Sequence, residues 1–278
     1  MKSVAELNNL HPGADIYVIG TGTSFRVFPK DFFEGKITIG LNLAWQLLPV
    51  TYGLTTRPEL NIPEFIDQKA PNEIVWVTKY HKLITEEQRE HGKKHFYFFR
   101  SDGQANTQPP GEPSDSGKVL DWVRKSTEDY LYLWSSVSQT AANLAANMGA
   151  RNVILVGCDN GALVGNHHAQ NQHTMWKGVN PDHRYRQYYD GLVEVRQALR
   201  SRGVNLLSMT PFVHLLEPTL DFRSLCKELN CPEWINNSDI SKEVDEIYSL
   251  REKFGHFIQQ KQKSARSKLK SYLSRVSS

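Results

Sequence analysis

The chain has 278 residues, 39% hydrophobic and 23% charged, with a formal net charge of +3. That length buries a full core in one large domain, or in one domain with a helical appendage. A charge of +3 is too small to point to nucleic acid, and no apolar run approaches the ~20 residues of a membrane span.

Met1 to Pro12 lacks the apolar core of a secretory signal. The three cysteines, Cys158, Cys226 and Cys231, show no metal-ligand pairing. They read as reduced thiols of a cytoplasmic protein. After this polar leader, Ala14 to Gly20 predicts a first strand running straight into Thr21-Gly22-Thr23-Ser24. A glycine-bracketed, hydroxyl-rich turn brings backbone N–H groups close to a phosphate, with Thr and Ser adding donors. It is not the dinucleotide fingerprint, which needs glycine where Phe25 stands, and no Walker lysine follows. The alternative is a tight strand exit with no ligand.

Lys36 to Asn42 predicts a second strand ending in an amide that can donate and accept. Leu43 to Val50 is apolar, and Pro58 to Gln68 predicts a short helix. Glu73 to Thr78 is a third strand, Ile84 to His91 a helix and His95 to Phe99 a fourth strand. Ser101 to Lys118 is a long polar loop. Ser135 and Ser136 open an alanine-rich helix that stops at Gly149, either capping it or holding an anion there. Asn152 to Gly157 is a buried strand, and Cys158-Asp159-Asn160 leaves its carboxyl end, where open α/β sheets bind ligands. Asp182 to Arg202 is an amphipathic helix with Leu192, Val195 and Leu199 on one face; Gly203 ends it and Val204 to Ser208 is another strand. The alternation predicts an α/β fold with a doubly wound, mostly parallel, Rossmann-like sheet.

From Ser238 to Ser278 there is no strand signal, and the segment reads as helix. In its last part Lys and Arg far outnumber the one acid, Glu252. Such a face is either solvated or lies on an anionic membrane surface. Two domains are therefore expected: residues 1–215 as a Rossmann-like domain, and 216–278 as a basic C-terminal helical extension.

His167, His168, His173 and His183 cluster in the loop after Asp159. No H-E-x-x-H or Cys-His spacing supports zinc, so no metal site is assigned. Histidine suits general-base work near neutral pH, although any single one, His173 above all, can be a surface residue with no task.

The order of the Gly20-to-Ser24 turn, the strand ending in Asn42, Ser135-Ser136 before the helix, and Gly157-Cys-Asp159 before a paired loop resembles the bacterial sialyltransferases of glycosyltransferase family 42. More loosely it resembles a wider group with Kdo transferases and a pterin pyrophosphokinase. The likeness spans roughly Ile16 to Pro211, and it implies that residues 1–215 form a catalytic nucleotide-sugar-binding domain with a lid over 160–187. The family's turn reads glycine-asparagine-glycine-proline-serine, so Gly20, Gly22 and Ser24 match while Thr21 and Thr23 depart. By this resemblance the turn and Asn42 meet the nucleotide, and Ser136 lies near the cytidine or its ribose. Gly157 and Asp159 match the family's Gly-x-Asp exit. His167 and His168 stand where the family has paired tyrosines that neutralise the departing phosphate; the family's first tyrosine would fall at Gly161. The family's base is a histidine in a lid just ahead of the next helix. His183 and Tyr185 fall in that lid, at a spacing to the helix that differs by a few residues. His183 is therefore the first choice for the base and His168 the second, and Tyr188 or Tyr189 could align there instead.

The resemblance implies an inverting, metal-independent transferase that moves an acidic sugar, of sialic acid or Kdo type, from a CMP donor to a glycan hydroxyl. The absence of an Asp-x-Asp motif leans the same way. Its donor site would be lined by Gly20, Thr21, Gly22, Thr23, Ser24, Asn42, Ser135, Ser136, Gly157, Asp159 and Asn160, with His183, His168, His167 and Asp159 carrying the chemistry. No cofactor is implied beyond the CMP-activated donor. The partners are that donor and a glycan acceptor, with no nucleic acid; contact of the basic tail with the inner face of the membrane and homo-oligomerisation stay open. Two rivals remain: a Mg-dependent pyrophosphokinase acting on a pterin-like alcohol, for which Asp159 is the placed acid, and a non-catalytic nucleotide-binding module.

Overall fold

A computed structural model describes residues 2–28, 30–79, 96–101, 123, 129–133, 136–159, 169 and 182–209. The described strands are β1 (Lys2–Ser3), β2 (Asp15–Ile19), β3 (Ile37–Leu41), β4 (Tyr52–Thr55), β5 (Val75–Lys79), β6 (Phe96–Phe99), β7 (Asn152–Val156) and β8 (Asn205–Ser208). The described α-helices are α1 (Pro58–Asn61), α2 (Val137–Asn147) and α3 (Asp182–Arg200). All eight strands pair in parallel, in the order β1-β6-β5-β4-β3-β2-β7-β8. The predicted α/β class holds, and the described sheet is wholly rather than mostly parallel.

Alternation along β2 and β7 shows why the sheet is covered on both sides. Ile16, Val18, Val153 and Leu155 enter one core together with α2 and α3. Tyr17, Ile19, Ile154 and Val156 enter a second core with Phe25, Phe28, Phe33, Trp45 and Trp76. Successive side chains of a strand point to opposite faces, so apolar residues at every position produce two cores back to back. Helix α2 lies deep in the first: every residue from Ser138 to Asn147 is buried. Its alanines admit close approach to the sheet. Among its buried polar residues, Asn143 accepts at Oδ1 from the Tyr132 N–H at 2.9 Å.

Two strands go beyond the sequence reading. β1 is only two residues long and adds to β6. β4 is short and contains Gly53, a weak strand signal; its cause lies across the sheet. A Cβ at Gly53 would run into the Trp76 ring, so glycine here makes room for a buried indole on the next strand. The predicted helix over Pro58 to Gln68 is also corrected. α1 stops at Asn61 and a 3₁₀ turn follows over Pro63–Phe65. Pro63 lacks an N–H and pushes Ile62 into extended geometry (φ −88°, ψ 130°), so the helix cannot continue through it.

The order from β2 outward runs one way through β3 to β6 and the other way through β7 and β8. The switch therefore falls between β2 and β7, and the crevice beyond their carboxyl ends is where such sheets take ligands. No helix among the described residues is long and apolar enough to cross a membrane. The predicted helix Ile84 to His91, most of the polar loop and the extension 216–278 lie outside the described residues.

Gly53→Ala is expected to lower stability by about 1–3 kcal/mol through overpacking against Trp76. The check is a reduced urea midpoint with an unchanged slope.

Candidate functional site

β2 and β7 run side by side from Asp15↔Asn152 to Ile19↔Val156, so the turns that leave them meet. Gly20 N–H donates to Val156 O at 2.7 Å and Gly22 N–H to Gly157 O at 2.8 Å. Gly157 sits at φ +66°, a conformation glycine adopts without steric cost. A Cβ on Gly22 would lie 2.6 Å from Gly157 O and 2.7 Å from Asp159 Cγ. Glycines thus let two backbones touch where side chains would hold them apart.

Asp159 locks that contact. The Ser24 N–H donates to Asp159 Oδ2 at 2.8 Å, and Ser24 Oγ bonds Oδ1. Asp159 is 2% exposed and Ser24 1%. Burial pushes the Asp159 carboxyl up to about 6, against the two Ser24 donors, which pull it down. With both oxygens engaged by one residue, Asp159 clamps the turn. Service as a base or metal ligand would require freeing the carboxylate from Ser24. Thr23 is buried as well, so Thr23 and Ser24 hold the turn's shape and do not present hydroxyls outward. Cys158 is buried too, its thiol pushed up to about 12, first by burial and then by Asp159.

The other described site residues reach the same edge of the sheet. Ala169, which follows His168 in the chain, donates its N–H to Thr21 O at 2.9 Å. Asn42 follows β3, the neighbour of β2, and takes a left-handed φ of +53°. Its Oδ1 accepts from Thr55 Oγ1 at 3.1 Å. Ser136 caps α2, its Oγ accepting from Ser138 N–H at 3.2 Å, while Gln139 reaches back to the Ser136 N–H at 3.3 Å. Because α2 leads into the start of β7, its capped end lies at the strands' carboxyl edge. Gln139 Nε2 donates to Tyr188 O at 3.1 Å, tying the first turn of α2 to the second turn of α3. α3 opens at Asp182, so His183 stands on helical backbone in that first turn. The predicted lid, 160–187, accordingly ends in helix over 182–187.

Ser135, Asn160, His167 and His168 lie outside the described residues, as do Gly161 and His173. Among the described residues no group of three or more His, Cys, Asp or Glu could hold a metal ion. Thr55 and Asn61, which hold Asn42, escaped the sequence reading; the available signal was a threonine closing the run Tyr52-Gly-Leu-Thr55.

No family model matches the sequence, and no curated protein does. Among solved structures, the MAf glycosyltransferase from Magnetospirillum magneticum AMB-1 aligns with a TM-score of 0.41 at 11% identity. The alignment covers 89% of this chain and 43% of that one. The chain thus spans less than half the length of that protein.

Removing the clamp has a pH signature. The folded carboxyl of Asp159 titrates near 6, above the ordinary value of 3.8. The folded chain therefore holds the proton more tightly, and stability falls as pH rises from about 4 to about 6. Asp159→Asn mimics the protonated form and should lose this component, visible as the difference between the two melting profiles across that window. Asp159→Ala leaves the Ser24 N–H unpaired and should cost about 1–3 kcal/mol at pH 5.

Proposed function

We propose that the chain is a glycosyltransferase, inverting and metal-independent, that transfers an acidic sugar of sialic acid or Kdo type from a CMP donor to a glycan hydroxyl. The observation that carries this reading is the glycine-lined contact of the β2 and β7 tips at the sheet's switch point, clamped by Ser24 and Asp159. The N–H groups of Gly20, Gly22 and Ser24 are held within this contact, so a phosphate would meet the half-buried apex of the turn at Thr21 and Gly22. Asn42 and the Ser136 cap flank it.

In this reading Gly20, Thr21, Gly22 and Asn42 hold the nucleotide, with Ser135, Ser136 and Asn160 completing its surroundings. His183 takes the proton from the acceptor hydroxyl as that oxygen bonds to the anomeric carbon. The bond from that carbon to the CMP phosphate breaks, and CMP leaves with the electron pair. His167 and His168 stabilise the charge growing on it. Arg184 and Arg186 draw in the anionic donor. The basic tail meets an anionic membrane from the cytoplasmic side, and the chain works with a nucleotide-sugar donor and a glycan acceptor, as a monomer or a homo-oligomer. The engagement of both Asp159 oxygens by Ser24 weighs against the magnesium-dependent pyrophosphokinase reading, which needs that carboxylate for the metal.

Thermal-shift measurements against CMP, CDP, UDP, GDP and ATP test the donor class. CMP should raise the melting temperature most, and should do so in EDTA, while Asn42→Ala should abolish the rise. Magnesium-dependent stabilisation by ATP alone would overturn the proposal. His183→Ala should retain the CMP shift yet lower kcat by about 10²–10⁴-fold; unchanged turnover would remove His183 from the mechanism.

A further inference from the structure

A hydrogen-bond chain beginning on α1 decides which way the Asn42 amide faces. Asn61 Nδ2 donates to Arg57 O at 2.9 Å and to Thr55 Oγ1 at 3.0 Å. A carbonyl oxygen only accepts, so Asn61 must have its nitrogen on this side. The Arg57 backbone N–H also donates to Thr55 Oγ1, at 3.0 Å. Thr55 is fully buried, and its hydroxyl has two lone pairs and one proton. Both lone pairs are engaged by N–H donors. Its proton is therefore directed to the remaining partner, Asn42, at 3.1 Å.

The atom receiving that proton is an acceptor, hence Oδ1. The donors and acceptors around Thr55 fix this orientation of the Asn42 amide by themselves. Nδ2 then lies across Cγ from Thr55, and no described residue accepts from it. Asn42 is partly exposed at the carboxyl end of β3, one strand from the Gly20–Ser24 turn. Its left-handed backbone is one that asparagine tolerates better than most residues.

We infer that Thr55 is a positioning residue that acts through Asn42, turning its amide so that the crevice is offered a hydrogen-bond donor. The site then selects, at this point, a ligand group that only accepts: an oxygen of a phosphate, a ribose or a pyrimidine. It disfavours an amine or amide N–H there, because a donor facing a donor leaves both unpaired on desolvation. Asn61 and the Arg57 backbone have an indirect part, since they engage the lone pairs of Thr55 and so direct its proton. The inference rests on the nucleotide reading above, and adds to it the polarity of one contact and the residue that sets it.

Calorimetric titration with CMP and with cytidine tests it, on the wild-type chain and on Asn42→Asp, Thr55→Val and Thr55→Ser. Asn42→Asp keeps size and shape but places an oxygen where Nδ2 stood; it should weaken CMP at least tenfold with little change in melting temperature. Thr55→Val keeps the shape of threonine without the hydroxyl and should weaken CMP about 5–20-fold, and Thr55→Ser should restore it. Should Thr55→Val fail to fold, Asn42→Asp alone decides the matter. Equal losses for cytidine place the acceptor on the nucleoside, and losses confined to CMP place it on the phosphate; either agrees with the inference. Asn42→Asp binding CMP within twofold of wild type, or folded Thr55→Val binding as Thr55→Ser does, would overturn the inference while leaving the nucleotide reading standing. A wild-type chain that binds neither compound removes both together.

Discussion

The contact between the ends of β2 and β7 depends on a buried carboxylate that has no basic partner among the described residues. Asp159 is stabilised by two hydrogen bonds from one residue, Ser24, 135 positions earlier in the chain. Taking an unpaired charge out of water is costly, and the raised carboxyl value near 6 is the trace of that cost. A position that merely needed filling would hold an apolar side chain at no such penalty. The clamp is instead explained by what it shapes: the turn that joins the tips of β2 and β7 at the sheet's switch point.

Around that clamp the crevice edge is built by side chains that hold one another. Ser24 and Thr23 are buried and Thr55 orients Asn42. Ser136 and Gln139 cap α2, and Gln139 also holds Tyr188 on α3. Much of the polar chemistry at the carboxyl edge of the sheet is thus spent on fixing geometry. In the proposed reading the amide nitrogen of Asn42 is the group turned toward a ligand. Preorganisation of this kind removes from binding the cost of ordering that group.

The two cores explain why the edge can be so polar. β2 and β7 contribute apolar side chains to both faces, and α2 buries nearly its full circumference. Stability is supplied below the crevice, by area removed from water. The strand tips are therefore free to carry threonine, serine, asparagine and aspartate. Gly53 and Trp76 show the same economy inside the sheet, where one missing side chain admits a large buried one.

Periodicity in the sequence was enough to determine the class of fold, the strands over Ala14 to Gly20, Lys36 to Asn42 and Asn152 to Gly157, and the helices on either side of the histidine-rich loop. These segments are buried on both faces or along one stripe, and burial writes itself into the order of apolar residues. β4 was hidden because its glycine answers to Trp76 on another strand, and the break at Pro63 shortened a helix that composition alone would extend. The glycine turn and the acidic exit were both visible as motifs, but not that Ser24 engages both oxygens of Asp159, nor that Thr55 governs Asn42. Those pairings join residues far apart in the chain, and sequence order records no distance between them. Only the packing of parallel strands brought them within reach, and with it settled which of these polar groups hold one another.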